Sequence, residues 1–206
     1  MAIAGLLVLA PLLAVVAIVV KCSSRGPVLF LQERIGVDGK EFSIRKFRTM
    51  RHQPQSSGPV ITAAGDPRVT AVGKLLRRCK IDELPQLWNV MRGEMSFVGP
   101  RPELPLYVSG YTQAQRLVLS VRPGITDPAS LTYRREEQLL ATAKDREAFY
   151  RQSVLPDKLR LNSEYIQNMS LSYDLKLILM TLGVLPRPKA VTSALEIQRK
   201  QVSGGA

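Results

Sequence analysis

The chain has 206 residues, which is enough for one domain with a substantial core and leaves little room for a second. Its formal net charge of +12 indicates an anionic partner, such as nucleic acid, acidic lipid or a phosphorylated substrate. Two cysteines without metal-ligand spacing exclude a disulfide framework, and a single histidine argues against a mechanism with a histidine base or histidine metal ligands.

Residues 1–20 form an uncharged and almost entirely apolar run that ends at Lys21. This length is just sufficient for a helix that spans a membrane. A secretory signal peptide fits poorly, because no basic segment precedes the run and no small-residue cleavage site follows it. We assign residues 1–21 to a membrane-anchoring helix, and the basic residues after it place the remaining chain on the cytoplasmic side.

Pro11 lies near the middle of this apolar run. It removes one backbone hydrogen bond and crowds the preceding turn, which predicts a bend in the helix. A bent helix can cross the membrane, or it can enter and leave on the same face as a re-entrant hairpin. The physical chemistry of these residues leaves both alternatives open.

Residues 22–185 predict a compact α+β domain that is mostly helical. Two apolar-rich runs, 28–35 and 41–48, flank a segment of turn residues, which indicates a small β-hairpin. Residues 52–68 have no periodicity, and loops of this length often act as lids. Helices are predicted at 69–78, 82–93, 113–121, 134–151, 158–169 and 172–185.

The last of these helices, 172–185, carries apolar residues at helical spacing, which suits either the core or the surface of a bilayer. Amphipathic helices at the membrane interface are therefore part of the predicted fold. Residues 186–206 are polar and basic, and we predict a disordered tail there.

The most informative pair of residues is Asp82 and Glu83, two adjacent carboxylates in a strongly basic neighbourhood. As a structural feature they would begin a helix, with Asp82 as the N-cap and Pro85 in the tolerated first turn. As a chemical feature, one carboxylate can attack phosphorus while the other binds a divalent cation. A helix start would favour the ionised carboxylates and lower their pKa values, so the two interpretations are compatible.

Two basic segments suit the same chemistry. Prolines on both sides of Arg101 fix the backbone, which would hold its guanidinium for a phosphate or a base edge. Lys46 and Arg48 share one face of a predicted strand, which suits either a diphosphate or plain solvation. The sequence contains no Walker-type glycine-rich loop, Rossmann fingerprint or Ser/His/Asp order that would indicate another chemistry.

Several blocks in this chain match a known pattern in order. They are Gln32-x-Arg34-x-Gly36, Lys46-Phe-Arg-Thr-Met50, Asp82-Glu-Leu-Pro-Gln-Leu-Trp-Asn-Val90, Met95-Ser-Phe-Val-Gly-Pro-Arg-Pro102 and Arg122-Pro-Gly-Ile-Thr126. These blocks resemble the signature of the bacterial sugar transferases, which are monotopic polyprenol-phosphate phosphoglycosyl transferases. The likeness runs from about Leu7 to Leu185, and the block that begins at Asp82 is highly specific.

The resemblance implies that Asp82 attacks a UDP-sugar, releases UMP and carries the phosphosugar until a polyprenol phosphate, such as undecaprenyl phosphate, accepts it. It implies that Glu83 acts with Asp82 and binds Mg²⁺. It also implies substrate contacts for Lys46, Arg77, Pro100, Arg101, Pro102 and Asp174.

The resemblance further implies where the protein works and with what. The anchor over residues 1–21 would be re-entrant, and the site would lie at the cytoplasmic face of the bacterial inner membrane. The expected partners are a UDP-sugar, a polyprenol phosphate and membrane lipids, with no nucleic acid beyond the nucleotide of the donor. The oligomeric state is left open, with a homodimer as one alternative.

The chain departs from the family pattern at four places. The helix break is Ala10-Pro11 where the family has Ser-Pro, and the chain begins inside the apolar helix where relatives carry a short basic segment. Asp127 follows Thr126 where many relatives have glycine, and Asn162 stands where several have an acid. We take the last two changes as a hypothesis of different sugar specificity, and the sugar itself is not predicted.

An alternative from another class is a membrane-tethered protein that binds through its basic face or acts as an assembly platform without catalysis. Asp82 and Glu83 would then serve only as a helix cap. This alternative predicts little effect from Asp82→Asn.

Overall fold

The computed structural model describes residues 2–51 and 62–191 of the chain. Helix α1 comprises Ala2–Ser23 and is followed by strands β1, Leu29–Ile35, and β2, Glu41–Phe47. The two strands form an antiparallel hairpin in which Leu29 pairs with Phe47. The predicted hairpin is therefore confirmed.

The rest of the described chain is built from short helices and one small parallel sheet. Its elements are α2 Ala71–Arg78, α3 Leu87–Met91, β3 Ser96–Val98, α4 Pro105–Val108, β4 Gly124–Thr126, α5 Pro128–Thr132, α6 Glu136–Ala141, α7 Arg146–Phe149, α8 Leu155–Gln167 and α9 Leu171–Thr181, with 3₁₀ turns at Val37–Gly39, Ile81–Gln86 and Gln115–Leu119 and a π-helical turn at Tyr150–Val154. β3 and β4 pair in parallel, and the whole agrees with the predicted mostly helical α+β class.

Three predicted helices form differently. The segment 82–93 begins as the 3₁₀ turn Ile81–Gln86, because Pro85 lacks the N–H that an α-helical bond to the Ile81 carbonyl would need. The segment 134–151 is interrupted between α6 and α7, where Asp145 is extended and caps α7 by accepting a hydrogen bond from the Ala148 N–H. The segment 113–121 supplies only one 3₁₀ turn.

Helix α1 is, within the described ranges, the one helix that is long and apolar enough to cross a membrane. It continues through Pro11 as one helix. Val16 and Val20 are buried and pack with Phe47 of β2 and Leu76 of α2. The remaining surface exposes large apolar side chains along the whole length, namely Ile3, Leu7, Val8, Leu12, Val15, Ile18 and Val19.

Arg48 ties the end of α1 to the strand that follows the hairpin turn. Its guanidinium is buried and donates to the carbonyls of Val20 at 3.0 Å and Ser24 at 2.6 Å, and to that of Pro27. The last carbonyls of a helix lack partners within the helix, and a cation there also opposes the negative end of the helix dipole. One side chain therefore joins α1 to the hairpin.

The main core lies between α4, α6 and α8. Leu139, Leu140, Val154 and Leu159 are buried in it, and the rings of Tyr107 and Tyr150 lie 5.0 Å apart at its edge. A smaller cluster packs α8 and α9 against β3 and α5, with its buried residues Val98, Leu131, Tyr165 and Leu177.

Residues 186–191 differ from the disordered tail that we predicted from Pro186 onward. Ala190 and Val191 are buried, and the Val191 N–H donates to the Thr132 carbonyl at 3.1 Å. The apolar side chains of Ala190 and Val191 account for this packing, because their burial removes apolar surface from water. The remainder of the predicted tail and residues 52–61 of the predicted loop lie outside the described residues.

Candidate active site

Lys46, Glu83 and Arg101 meet in one buried cluster, although they come from β2, the 3₁₀ turn and the Pro-Arg-Pro segment. Glu83 Oε1 accepts hydrogen bonds from Lys46 Nζ at 2.9 Å and from Arg101 Nη2 at 2.5 Å. The Glu83 side chain is 9% exposed. The structure thus brings together three of the predicted site residues.

The charges in this cluster are strongly coupled. Burial alone would raise the pKa of Glu83, but the charges of Arg101 and Lys46 outweigh it and hold that pKa well below its usual value. Burial and the charge of Arg101 lower the pKa of Lys46 to about 8, against the opposing effect of Glu83. Glu83 is therefore an ionised carboxylate held between two cations.

Asp82 is also buried, but its surroundings differ from those of Glu83. Its Oδ1 has no hydrogen-bond partner among the residues that the structure describes. Burial, and then the charge of Glu83, raise the pKa of Asp82, while Lys46, Lys80 and Arg77 oppose the rise.

The prediction that a helix start lowers the pKa of Asp82 was wrong. The 3₁₀ turn begins at Ile81 and its N-cap is Lys80, so Asp82 is not the N-cap. Loss of water and a neighbouring negative charge dominate instead. A carboxylate in this setting has few hydrogen bonds to lose when it attacks an electrophile.

The segment Pro100–Pro102 is fixed through its backbone as well as by its prolines. The Pro100 carbonyl accepts from the Gly124 N–H at 3.0 Å, and the Pro102 carbonyl accepts from Arg34 Nη1 at 3.1 Å. A Cβ at position 124 would overlap the backbone of Gly99, so only glycine allows this approach. The signature blocks that contain Arg34 and Gly124 therefore fix the backbone of the block that contains Pro100–Pro102.

Asn89 holds the other side of the cluster. Its side-chain amide pairs with the backbone of β2, accepting from the Arg45 N–H at 3.1 Å and donating to the Ser43 carbonyl at 2.8 Å. It also donates to Glu94 at 2.7 Å. These bonds fix the strand that carries Lys46 against the segment that carries Glu83.

Two predicted substrate residues have other partners in the structure. Arg77 Nε donates to Thr49 Oγ1 at 2.9 Å and its Nη1 pairs with Glu137 at 2.7 Å, although its charge still reaches Asp82. Asp174 accepts from the Tyr165 hydroxyl at 2.6 Å, where α9 packs on α8. Substrate contacts by both residues stay predictions.

A second group of ionic contacts, formed by Lys158 with Glu136 and Glu103, was not predicted from the sequence. Lys158 is 7% exposed and lies 3.1 Å from Glu136 Oε2 and 3.6 Å from Glu103 Oε1. Glu103 also accepts from the Tyr150 hydroxyl at 2.7 Å. The predicted helix began only at Lys158, whereas α8 begins at Leu155. The available signal was the helical spacing of Lys158 with Leu155 and Leu159, because a cation on such an apolar face must be paired.

Two of the four departures from the family pattern, Asp127 and Asn162, are buried residues. Asn162 lines a cavity with Arg101 and Lys158. Asp127 caps α5, since its carboxylate accepts from the Ser130 N–H at 2.8 Å and the Ser130 hydroxyl at 2.7 Å. The hypothesis that these two residues alter the sugar specificity stays a prediction.

Asp127→Asn is expected to raise the unfolding temperature at pH 7. Burial raises the pKa of Asp127 despite the opposing Ser130 bonds, so the fold favours the neutral side chain. The asparagine keeps an acceptor for the Ser130 N–H. The contribution of Asp127 to the stability of the wild type is fully present below about pH 4, its pKa in the unfolded chain. This contribution is lost as the pH rises through the higher pKa of the folded protein. The advantage of asparagine should therefore vanish on acidification.

Thermal unfolding of detergent-solubilised protein, followed by circular dichroism at pH 4 and pH 7, measures this difference. Asp127→Ala is the matched control, because it loses both the charge and the cap and should be less stable than the asparagine variant by about 1 kcal/mol. An asparagine variant that unfolds below the wild type at pH 7 would contradict the prediction.

The chain is similar to known proteins over most of its length. The family model described as "Bacterial sugar transferase" matches residues 1–188. The chain is 42% identical over 188 residues to the undecaprenyl-phosphate glucose phosphotransferase of Komagataeibacter xylinus, which covers 86% of this chain and 32% of that protein. It is 38% identical over 181 residues to the UDP-glucose:undecaprenyl-phosphate glucose-1-phosphate transferase of Escherichia coli K12, which covers 86% of this chain and 36% of that protein.

A third relative transfers a different sugar according to its name. It is the putative undecaprenyl-phosphate N-acetylgalactosaminyl 1-phosphate transferase of Bacillus subtilis, 43% identical over 119 residues, or 54% of this chain and 66% of that protein. The chain spans about a third of the length of the two glucose phosphotransferases, since the matched shares of those proteins are 32% and 36%.

Proposed function

The chain belongs to the bacterial sugar transferase family, and we propose that it transfers a phosphosugar from a UDP-sugar to a membrane polyprenol phosphate. The products are a polyprenyl diphosphate-sugar and UMP, and the reaction initiates assembly of a glycan. The relatives named above support undecaprenyl phosphate as the acceptor. The observation that carries the proposal is the buried Asp82 carboxylate, unpartnered at Oδ1 and adjacent to the cluster of Glu83, Lys46 and Arg101.

In the first step, a carboxylate oxygen of Asp82 forms a bond to the phosphorus that bears the sugar. The bond from that phosphorus to the oxygen of UMP breaks, and UMP leaves with the electron pair. The product on the protein is an aspartyl phosphosugar. Phosphoryl transfer depends mostly on positioning and charge neutralisation, which the cations Lys46 and Arg101 supply.

In the second step, a phosphate oxygen of the polyprenol phosphate attacks the same phosphorus. The bond to Asp82 breaks, and its carboxylate is regenerated for the next donor. Both nucleophiles are anions, so neither step requires a base to remove a proton. This explains how a chain with a single histidine can catalyse the reaction.

We further propose that Mg²⁺ is the cofactor and that Glu83 binds it. No group of three or more His, Cys, Asp or Glu side chains that could hold a metal occurs in the described ranges. Mg²⁺ sites commonly use one or two carboxylates together with substrate phosphates, so the residues present fit this ion. Glu83 Oε2 has only a long contact of 3.5 Å with Arg101, whereas Oε1 binds both cations. When bound, the ion offsets charge on the diphosphate.

The same chemistry supports a place at the membrane surface. The donor is soluble and the acceptor is confined to the bilayer, so we propose that α1 is re-entrant and holds the site at the cytoplasmic face of the bacterial inner membrane. The exposed apolar surface of α1 and the net charge of +12 suit lipid tails and anionic headgroups. Labelling of a cysteine placed near the N-terminus from the periplasmic side would contradict this topology.

The test of the function is UMP release from a panel of UDP-sugars with Mg²⁺ and polyprenol phosphate. We expect release with at least one sugar and formation of the polyprenyl diphosphate-sugar. The panel also identifies the sugar. If purified protein bound to vesicles but released no UMP from any donor, the membrane-tethered platform without catalysis would be the better assignment.

A further inference from the structure

Lys80 has an unusual backbone conformation beside the nucleophile. Of the non-glycine residues in the described part of the chain, Lys80 and Asp38 alone have positive φ, at 59° and 57°. Aspartate tolerates this region and is common in turns, whereas lysine gains nothing there, and glycine or asparagine would adopt it with less strain. The side chain of Lys80 therefore calls for another explanation.

The backbone bonds explain why this position turns sharply. The Lys80 N–H donates to the Arg77 carbonyl at 3.2 Å, and the Lys80 carbonyl accepts from the Glu83 N–H at 3.3 Å. These bonds join the end of α2 to the turn that carries Asp82. They would form equally well with glycine at position 80, since they use only backbone atoms.

Lys80 is the cationic residue nearest to Asp82 in the chain, and its ammonium has no partner among the residues that the structure describes. Lys46 is paired with Glu83, and Arg77 is paired with Glu137. Lys80 is exposed, stands two positions before Asp82 and accepts from the Glu83 N–H through its backbone carbonyl at 3.3 Å. Its side chain makes no hydrogen bond or ion pair with another described residue. It is therefore free to bind an incoming anion.

An anion that approaches Asp82 needs such a cation. Asp82 and Glu83 are both acidic, so a substrate phosphate meets like charge as it nears the nucleophile, which opposes the approach. The two partly buried cations on Glu83 are already partly neutralised by that carboxylate. An ammonium on the residue two positions before Asp82 would add a charge-assisted hydrogen bond to a phosphate that it reached.

We propose that Lys80 is a further substrate-binding residue that contacts phosphate oxygens at the reacting phosphorus centre. The proposal rests on the function proposed above. The ligand chemistry is a phosphate, and it comes from either the diphosphate of the donor or the monoester of the polyprenol phosphate.

The conformation of Lys80 allows a test that does not depend on a damaged fold. Lys80→Gly removes the ammonium and relieves the backbone, so it should unfold at a temperature equal to or above that of the wild type. Lys80→Asn removes the charge with a residue that also accepts positive φ, and Lys80→Arg keeps the charge. Asp38→Gly is the matched control, because it relieves the same conformation in an exposed turn of the hairpin.

Two measurements distinguish the sources of the phosphate. The first is single-turnover UMP release without acceptor, and the second is steady-state turnover with polyprenol phosphate. We expect Lys80→Gly and Lys80→Asn to lose about 10- to 100-fold, the range for a hydrogen bond to a charged group, while Lys80→Arg and Asp38→Gly stay near the wild type. Slow UMP release identifies the donor diphosphate, whereas normal release with a raised KM for the acceptor identifies the polyprenol phosphate.

Wild-type rates for Lys80→Gly and Lys80→Asn in both measurements would overturn the proposal. So would an equal loss in Lys80→Arg, because the charge would then not be what matters. If the wild type itself released no UMP from any donor, the proposed function would fail instead, so the two failures are separable.

Discussion

Asp82→Asn is expected to abolish UMP release, with a loss on the order of 10⁴-fold or more, as for removal of a covalent nucleophile. The amide cannot form the phosphosugar intermediate, so both steps stop. The variant should fold normally. Because burial raises the pKa of Asp82, the ionised carboxylate is less favourable in the folded chain than in the unfolded chain. Its replacement by a neutral amide should therefore not lower the unfolding temperature.

Covalent trapping tests the same residue directly. With UDP-sugar labelled in the sugar and no acceptor, the wild-type chain should retain label on the peptide that contains Asp82, and Asp82→Asn should retain none. Asp38→Asn serves as a control, since it replaces an exposed acid in the hairpin turn. Full turnover by the Asp82→Asn variant would exclude the covalent mechanism.

Glu83→Gln is expected to destabilise the fold by about 3–5 kcal/mol, the cost of removing one partner from a buried ion pair. The change leaves Lys46 and Arg101 without their carboxylate in a site where Glu83 is 9% exposed. Activity should fall as well, because the proposed Mg²⁺ ligand and the arrangement of both cations are lost.

Chemical unfolding in detergent measures the first effect, and UMP release as a function of Mg²⁺ concentration measures the second. Glu164→Gln is a suitable control, because it breaks an exposed pair with Arg160, and such pairs contribute about 0–1 kcal/mol. The double variant Lys46→Met with Glu83→Gln should cost less than the sum of the single variants. Equal stability of Glu83→Gln and the wild type would mean that the buried cluster does not form in solution.

Much of the site could be predicted from local sequence. The hairpin follows from two apolar runs around a turn, and the prolines around Arg101 indicate a fixed segment. The resemblance to a family then identified Lys46, Glu83 and Arg101 as partners in one site, although the first and the last lie 55 positions apart in the chain. Their contact depends on the packing of β2 on the 3₁₀ turn, and no local sequence pattern predicts that packing.

The remaining features depend on burial, which the sequence does not specify residue by residue. The pKa of Asp82 is raised because the surrounding chain removes water from it, whereas its local sequence resembles a helix cap that would lower the pKa. Lys158 and Glu103 form an ion pair although they lie 55 positions apart in the chain. The positive φ of Lys80 follows from the close join between α2 and the next turn.

Arg48 and Lys46 lie two positions apart on one extended segment. Together they fix the distance between the end of α1 and the candidate site. Arg48 donates to the Val20 carbonyl in the last turn of α1 and to the Ser24 carbonyl just after it, and Lys46 binds Glu83 at the candidate site. Two residues of a strand span about 7 Å. Asp82 and Glu83 are therefore held at a set height relative to the end of α1. The phosphate of a lipid acceptor also has a set elevation, given by the headgroup layer. A change in the height of the headgroup layer would therefore alter use of the acceptor while leaving attack on the soluble donor unchanged.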